Sequence, residues 1–227
     1  MSAAGSAPAE SPPVALVVFD WDGTLADSTT LIAESILQAA EDIGVAVPDR
    51  EQAWHVIGLG MAESLARVVP GLRREQVAPF AARYQFHYLR REQEVRFFDG
   101  ALALLEDLRA RGVLLAVATG KSRAGLARAL GAAGLAGHFA ATRCADQTQP
   151  KPHPAMLLEL SEELAVEPAR MLMIGDTSHD LEMAAAAGVP AVGMAQGAHP
   201  RAALERLRPL AVFDAIAPLR DWLLERC

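Results

Sequence analysis

The sequence predicts an α/β fold: a doubly wound parallel sheet into which an all-helical segment is inserted. Short apolar runs bounded by turn residues alternate with helical patterns along most of the chain. Continuous apolar strands separated by helices are typical of a parallel sheet that is covered on both faces. The alternation stops between about residues 28 and 98, where only helical patterns occur. A chain of 227 residues is long enough for a core and such an insertion.

The predicted strands are short apolar runs, and each is followed by turn residues. The first begins at Val14 and ends before Asp20. Five others follow at residues 113–118, 138–142, 171–174, 190–194 and 210–213, of which 138–142 is the weakest. Helical patterns lie near and between them at residues 101–111, 122–133, 154–165, 180–187 and 200–207.

The segment 28–98 is predicted to form a helical cap. Its helical patterns lie at residues 31–43, 51–57, 62–69 and 74–94. A length of about 70 residues is near the lower limit for a separate small domain. We therefore expect an α/β core made of residues 14–27 and 99–227, with the cap at 28–98 and hinges near Asp27–Ser28 and Phe98–Gly100.

Composition excludes several classes of protein. The formal charge of −7 gives no support to nucleic-acid binding. No apolar run approaches the roughly 20 residues that span a bilayer. Cys144 and Cys227 suggest neither a disulfide framework nor a metal site. Residues 1–13 have no basic region and no apolar stretch, which predicts a disordered leader. We expect a cytoplasmic monomer or homodimer that contacts neither nucleic acid nor membrane.

Two carboxylates, Asp20 and Asp22, follow the first strand. Residues i and i+2 of a strand point the same way, so the two side chains would repel and one would hold its proton. Mg²⁺ would relieve this cost, since it prefers oxygen ligands and substrate phosphates. Alternatively, one carboxylate is a nucleophile and its neighbour moves a proton. Both interpretations indicate phosphate chemistry, although a polar turn alone explains the D-x-D-G pattern about as well.

A calcium-binding EF-hand loop also begins D-x-D, but this sequence does not continue as such a loop does. Gly23 comes too early, and Leu31 stands where the loop needs a glutamate. Calcium-loop chemistry is therefore not expected.

Two further polar clusters follow later strands, and ligands of open parallel sheets bind beyond the carboxyl ends of the strands. Thr119 and Gly120 precede a helix and offer a hydroxyl and backbone N–H groups to an anion, although Thr119 also fits a simple helix cap. A P-loop is excluded because Leu115 stands where that motif needs glycine. Lys151 lies between Pro150 and Pro152, which fix the backbone and favour a rigid counter-charge for phosphate.

A second acidic cluster, GDTSHD, follows the strand at 171–174. Asp176 would complete a metal site with Asp20 and Asp22 on the neighbouring strand. Asp180 lies in the first turn of the next helix, where it binds the metal, orients the ligands or serves only as an N-terminal charge. The six histidines show no metal-ligand spacing, and we expect structural or solvent-facing roles for them.

With these clusters in place, the chain resembles the haloacid dehalogenase superfamily, specifically its phosphatases with a helical cap after the first strand. The resemblance rests on DWDGTLADS, Thr119, Lys151 and GDTSHD in that order, and extends from Val14 to about Val212. Phosphoglycolate-phosphatase-like members are the most similar. The resemblance implies a Rossmann-like core and a Mg²⁺-dependent hydrolase that acts on a small phosphorylated metabolite.

The resemblance also implies a role for each site residue. Asp20 would form an aspartyl-phosphate intermediate, and Asp22 would act as general acid and then base. Three groups would hold Mg²⁺: the Asp20 carboxylate, the Asp22 backbone carbonyl and Asp176. Asp180 would complete the network of metal and lysine. The phosphoryl oxygens would be bound by Thr119, Gly120 and Lys151.

Some alternatives remain open within this resemblance. Asp22 favours phosphate esters over dehalogenation, because dehalogenases of this superfamily lack that aspartate. The loop Gly58-Leu59-Gly60 resembles a substrate-specificity loop, although an ordinary turn between helices explains its glycines as well. An inorganic pyrophosphatase and a sugar-phosphate mutase are alternatives of the same superfamily. A non-enzymatic binding module is disfavoured by the intact set of polar residues.

Overall fold

A computed structural model describes residues 14–227, so the predicted leader at residues 1–13 lies outside the described part of the chain. Eight strands occur in this part: β1 (Leu16–Phe19), β2 (Ala26–Asp27), β3 (Arg96–Phe97), β4 (Leu114–Thr119), β5 (Ala141–Cys144), β6 (Met171–Gly175), β7 (Ala191–Met194) and β8 (Ala211–Phe213). The α-helices are α1 (Thr29–Asp42), α2 (Arg50–His55), α3 (Met61–Val68), α4 (Arg74–Arg91), α5 (Ala101–Ala110), α6 (Arg123–Ala132), α7 (Ala155–Leu164), α8 (Ser178–Ala187), α9 (Arg201–Glu205) and α10 (Ile216–Leu224).

Six of the strands form one parallel sheet in the order β5-β4-β1-β6-β7-β8. The central strand β1 pairs Leu16 with Leu114 of β4 on one side and with Met171 of β6 on the other. The predicted α/β fold and its parallel sheet are confirmed. The weakest predicted strand, at 138–142, begins later than expected, at Ala141.

Helices cover both faces of this sheet because its central strand is apolar on both sides. Val17 and Phe19 of β1 pack in one buried cluster with α5 and α10, which includes Leu104 and Leu219. Leu16 and Val18 point the other way, into a second cluster with α7 and α8. Alternate residues of a strand point to opposite faces, so an uninterrupted apolar strand requires cover on both.

Four helices, α1 to α4, are inserted between β2 and β3 and share a third buried cluster, which includes Ile36, Leu65 and Phe80. At the base of the insertion, the two-residue strands β2 and β3 pair antiparallel, with Ala26 opposite Phe97. The expectation of no strand between residues 28 and 98 is therefore wrong for β3. A strand of two residues is too short to show a period of two in the sequence.

Several helical boundaries differ from the predicted ones, and the last helix is additional. Helix α4 ends at Arg91 and a 3₁₀ turn, Glu92–Glu94, replaces its predicted last turn. Helix α9 ends at Glu205, earlier than predicted. Helix α10 was not predicted, because Pro218 interrupts the apparent pattern; the structure places this proline in the first turn, where its missing N–H costs nothing.

Between residues 14 and 227, no helix is both long enough and apolar enough to cross a membrane. The two cysteines are free, as expected from the absence of a disulfide pattern.

Phe80 anchors the cluster of the inserted helices and is fully buried, whereas Phe86 of the same helix is 42% exposed. We expect Phe80→Ala to lower the free energy of unfolding by about 3–5 kcal/mol, because it leaves a cavity. Phe86→Ala should change it by less than about 1 kcal/mol. Urea titrations of the two variants measure this difference, and equal costs would show that Phe80 is not a core residue.

Candidate active site

The carboxyl ends of β4, β1 and β6 lie side by side and carry the predicted site residues. Asp20 directly follows β1, Thr119 ends β4, and Asp176 directly follows β6. Because these strands are neighbours in the sheet, the three side chains converge at one edge. All three are completely buried.

Lys151 is the cation at the centre of this site. It is fully buried, and its ammonium lies 2.8 Å from Asp20 Oδ1 and 2.6 Å from Asp180 Oδ1. Burial opposes the charge of Lys151, but the carboxylates of Asp180 and Asp20 outweigh that effect and raise its pKa above the ordinary value. Lys151 therefore stays charged and holds together Asp20, which follows β1, and Asp180, which lies in the first turn of α8.

Three buried carboxylates, Asp20, Asp176 and Asp180, surround one point, with oxygens within 4.8 Å of one another. Burial raises the pKa of Asp20 to about 7; Lys151 lowers this pKa and the Asp180 charge raises it. Burial also raises the pKa of Asp176, as do the charges of Asp20 and Asp180. With all three aspartates ionised, the cluster would carry more negative charge than Lys151 neutralises, so burial favours retention of protons when no cation is bound.

The donor set of this cluster fits a hard divalent cation. Asp20 Oδ2 is buried and has no hydrogen-bond partner among the described residues, so it is available as a ligand. Asp176 is held in position by the Thr24 hydroxyl, which donates to Oδ1 at 3.0 Å, and by the Ala198 N–H, which donates to Oδ2 at 2.7 Å. Carboxylate oxygens are the ligands that such cations prefer.

Glycine is required next to Asp176 because the backbone comes close to its carboxylate. A Cβ on Gly23, where φ is +79°, would lie 2.0 Å from Asp176 Oδ2, and one on Gly197 would lie 2.1 Å from the same atom. Any side chain at either position would displace the carboxylate. The D-x-D-G motif therefore uses its glycine to admit Asp176 as well as to turn the chain.

Asp22 belongs to a second network, separate from the three clustered carboxylates. Its Oδ1 lies 3.0 Å from the Lys121 ammonium and accepts a hydrogen bond from Ser28 Oγ at 2.5 Å. Lys121 also donates to the hydroxyl of Tyr88 on α4 at 3.1 Å. Burial opposes the charge of Lys121, but Asp22 and Tyr88 raise its pKa above the ordinary value. This network connects the carboxylate to an inserted helix.

The predicted specificity loop lies directly against the predicted phosphate-binding turn. A Cβ on Gly120 would lie 2.5 Å from the carbonyl oxygen of Gly58 and 2.7 Å from that of Leu59. A Cβ on Gly60 would lie 3.2 Å from Cβ of Pro150, next to Lys151. The structure therefore brings the loop Gly58-Leu59-Gly60 onto both segments.

Three histidines join the inserted helices to the core beside this site. The carbonyl oxygen of His55, at the end of α2, lies 3.0 Å from His179 Nε2 and 3.2 Å from His199 Nε2. The rings of His55 and His199 stack with centroids 4.7 Å apart. Burial and the neighbouring His179 lower the pKa of His199 to about 4, so its ring is neutral. These contacts are structural, in line with the role expected for the histidines.

The sequence comparisons agree with this geometry. Residues 17–194 match the sequence model of the haloacid dehalogenase-like hydrolases. The chain belongs to this family. It is 35% identical to the probable phosphatase IndB of Dickeya dadantii over 208 residues. The aligned region covers 89% of this chain and 90% of that relative. It is 36% identical over 217 residues to the phosphoglycolate phosphatase of Rhodospirillum rubrum, and the aligned region covers 91% of this chain and 90% of that relative.

A relative with a different name is equally similar. The tyrosine-protein kinase PtkA of Mycobacterium tuberculosis is 37% identical over 194 residues, which are 85% of the chain but 65% of that relative. Among solved structures, that of a predicted phosphoglycolate phosphatase from Haemophilus somnus superimposes with a TM-score of 0.79 at 25% identity, covering 92% of this chain and 97% of that one. The predicted membership of the haloacid dehalogenase superfamily, the similarity to phosphoglycolate phosphatases and the predicted enzyme class, a phosphatase, are confirmed.

The structure gathers the predicted site residues at one edge of the sheet and adds three that the sequence did not reveal. These are Lys121 and Ser28, which contact Asp22, and Tyr88, which contacts Lys121. Lys121 directly follows Thr119 and Gly120 in the sequence, and this proximity to two predicted site residues could have indicated that Lys121 also lies in the site. Tyr88 gave no such signal, because its contact with Lys121 joins residues on separate elements.

The raised pKa of Asp20 predicts a pH dependence of stability. With a folded value of about 7 against an ordinary 3.8, the metal-free native protein keeps a proton that the unfolded chain releases. The resulting stability is fully present below about pH 4 and lost as the pH rises through about 7. In the presence of a chelator, the free energy of unfolding of the wild type should therefore fall with pH more steeply than that of Asp20→Asn. Urea titrations at several pH values test this, and parallel curves would contradict it.

Proposed function

We propose that this protein is a Mg²⁺-dependent phosphomonoester hydrolase that acts on a small phosphorylated metabolite through an aspartyl-phosphate at Asp20. The observation that carries the proposal is the state of the Asp20 carboxylate. One of its oxygens is paired with Lys151, while the other is buried without a hydrogen-bond partner among residues 14–227, beside Asp176. A carboxylate held in one orientation with a free oxygen is suited to nucleophilic attack.

In the first step, Asp20 attacks phosphorus and the bond from phosphorus to the ester oxygen breaks. Asp22 donates a proton to the leaving alcohol, which departs neutral. Mg²⁺ held by Asp20, the Asp22 backbone carbonyl and Asp176 would neutralise negative charge on the phosphoryl oxygens and the nucleophile. Lys151 contributes a fixed positive charge that needs no reorganisation during the reaction.

In the second step, water attacks phosphorus and releases inorganic phosphate and the Asp20 carboxylate. Asp22, now deprotonated, accepts a proton from this water. Lys121 and Ser28 contact Asp22 Oδ1 and keep the carboxylate in place between the two steps. Asp180 supports the site through Lys151, because its other oxygen, Oδ2, accepts a hydrogen bond from the Thr177 hydroxyl at 2.7 Å.

The phosphoryl oxygens would be bound by Thr119, Gly120 and Lys151. We further infer that residues 28–98 act as a cap domain on a catalytic core of residues 14–27 and 99–227. The close contact of Gly58 and Leu59 with Gly120 supports this inference, because the loop covers the turn that would hold the phosphate. A covered site excludes water from the first step, and opening of the cover then lets the alcohol leave and water enter for hydrolysis.

Replacing the nucleophile should abolish turnover. We expect Asp20→Asn to reduce Mg²⁺-dependent phosphate release at least about 10³-fold, because only electrostatic assistance would remain. The matched control is Asp27→Asn, which alters an exposed carboxylate nearby and should keep wild-type rates. Phosphate release by purified, folded Asp20→Asn at near wild-type rates would contradict the proposed mechanism.

Removing the proposed metal ligand Asp176 should weaken the binding of the activating Mg²⁺. Chelation should stop turnover and added Mg²⁺ should restore it. Asp176→Asn should raise the Mg²⁺ concentration for half-maximal activity about tenfold or more, because it removes one anionic ligand. Activity that persists in chelator, or an unchanged Mg²⁺ requirement in Asp176→Asn, would show that this cluster does not bind the activating metal.

A further inference from the structure

A cleft of about 510 Å³ lies between the inserted helices and the core. We call it the cap cleft. Asp22, Gly120 and Lys121 line it on the core side, and residues of α1, α3 and α4 line it on the other. Because Asp22 would protonate the leaving alcohol, the cap cleft is where that alcohol sits. The inference below therefore rests on the proposed function and deepens it.

The cap cleft presents an apolar wall to the alcohol. Ile32 and Ile36 of α1, together with Leu65 and Val68 of α3, are buried residues that line it. Apolar surface of this kind stabilises a ligand in proportion to the apolar area that the ligand removes from water. A charged alcohol gains nothing from such a wall and loses hydration.

The cations that line the cap cleft are already paired. Lys121 lies 3.0 Å from Asp22, and Arg128 lies 3.3 Å from Glu92. Glu92 Oε1 is buried and has no hydrogen-bond partner among the described residues. Apart from Lys121, which stands beside the proposed general acid, a carboxylate on the alcohol, such as that of phosphoglycolate, would find only Arg128 among the cations of the described lining residues, and Glu92 already pairs with it.

The cap cleft is also larger than a two-carbon acid needs. A glycolate group has five non-hydrogen atoms, and about 30 Å³ for each gives roughly 150 Å³. That is less than a third of the 510 Å³ available. We propose that the cap cleft selects phosphate esters of uncharged, predominantly apolar alcohols larger than glycolate, and discriminates against an alcohol that carries a carboxylate.

Three esters of primary alcohols separate the effects of charge and size: phosphoglycolate, ethyl phosphate and hexyl phosphate. The first two share a two-carbon frame and differ by the carboxylate, whereas the last two differ by four methylene groups. Each fully buried methylene contributes about fourfold to binding. With Mg²⁺ present, we expect kcat/KM for hexyl phosphate to exceed that for ethyl phosphate at least tenfold, and that for ethyl phosphate to exceed that for phosphoglycolate.

A matched pair of variants tests whether the cap cleft causes this preference. Ala82 lines the cap cleft on α4 and is exposed, so Ala82→Phe should fill the cleft without disturbing the fold. Ala66 on α3 is equally exposed but is not part of the lining. The advantage of hexyl over ethyl phosphate should fall at least fivefold in Ala82→Phe and stay unchanged in Ala66→Phe. Thermal unfolding confirms that both variants are folded.

The possible outcomes separate this inference from the proposed function. If phosphoglycolate is the best of the three esters, if hexyl and ethyl phosphate are turned over equally, or if the two variants behave alike, the assignment of the cap cleft is overturned while the hydrolase stands. The proposed function itself is overturned if folded wild type, supplied with Mg²⁺, releases phosphate neither from any of the three esters nor from pyrophosphate.

Discussion

The site depends on the buried contacts of Lys151 with Asp20 and Asp180. The three clustered carboxylates and one ammonium, if all are ionised, leave two negative charges inside a core that excludes water. Burying unpaired charge is costly, and removing one partner of a buried pair typically costs 3–5 kcal/mol. The protein relieves part of this cost with Lys151, and a proton on Asp20 or a divalent cation would relieve the rest. The same charge imbalance that destabilises the metal-free site therefore suits it to bind a divalent cation.

The two networks divide the chemistry between two sides of the site. On one side, Lys151 and the three carboxylates face the proposed metal and the phosphoryl group. On the other side, the Lys121 ammonium lies next to Asp22 and donates a hydrogen bond to the hydroxyl of Tyr88 on α4. This second network links the proposed general acid to the inserted helices. The position of those helices therefore affects both the placement of Asp22 and the shape of the cap cleft.

Much of this architecture could be predicted from the sequence because strong local signals specify it. Uninterrupted apolar runs such as Leu16–Phe19 indicate buried parallel strands, and the parallel order brings Asp20 and Asp176 to one edge. The signals fail where contacts depend on tertiary placement. The contact between Lys121 and Tyr88 joins residues that are 33 positions apart and depends on where α4 packs in the folded protein. Strands β2 and β3 are too short to show a period of two in the sequence. Gly197 had no local motif at all, although it lies against Asp176 in the structure.

The central claim is that Asp20 carries the phosphoryl group, and trapping the phosphoenzyme tests it most directly. Wild-type protein with Mg²⁺ and a turned-over ester would be quenched in acid within the first turnover, digested, and its peptides analysed by mass spectrometry. The account predicts a phosphoryl group on the peptide that contains Asp20, removable by hydroxylamine as expected for an acyl phosphate. A phosphoryl group on another residue, or turnover with no phosphoenzyme and no initial burst of alcohol release, would contradict it.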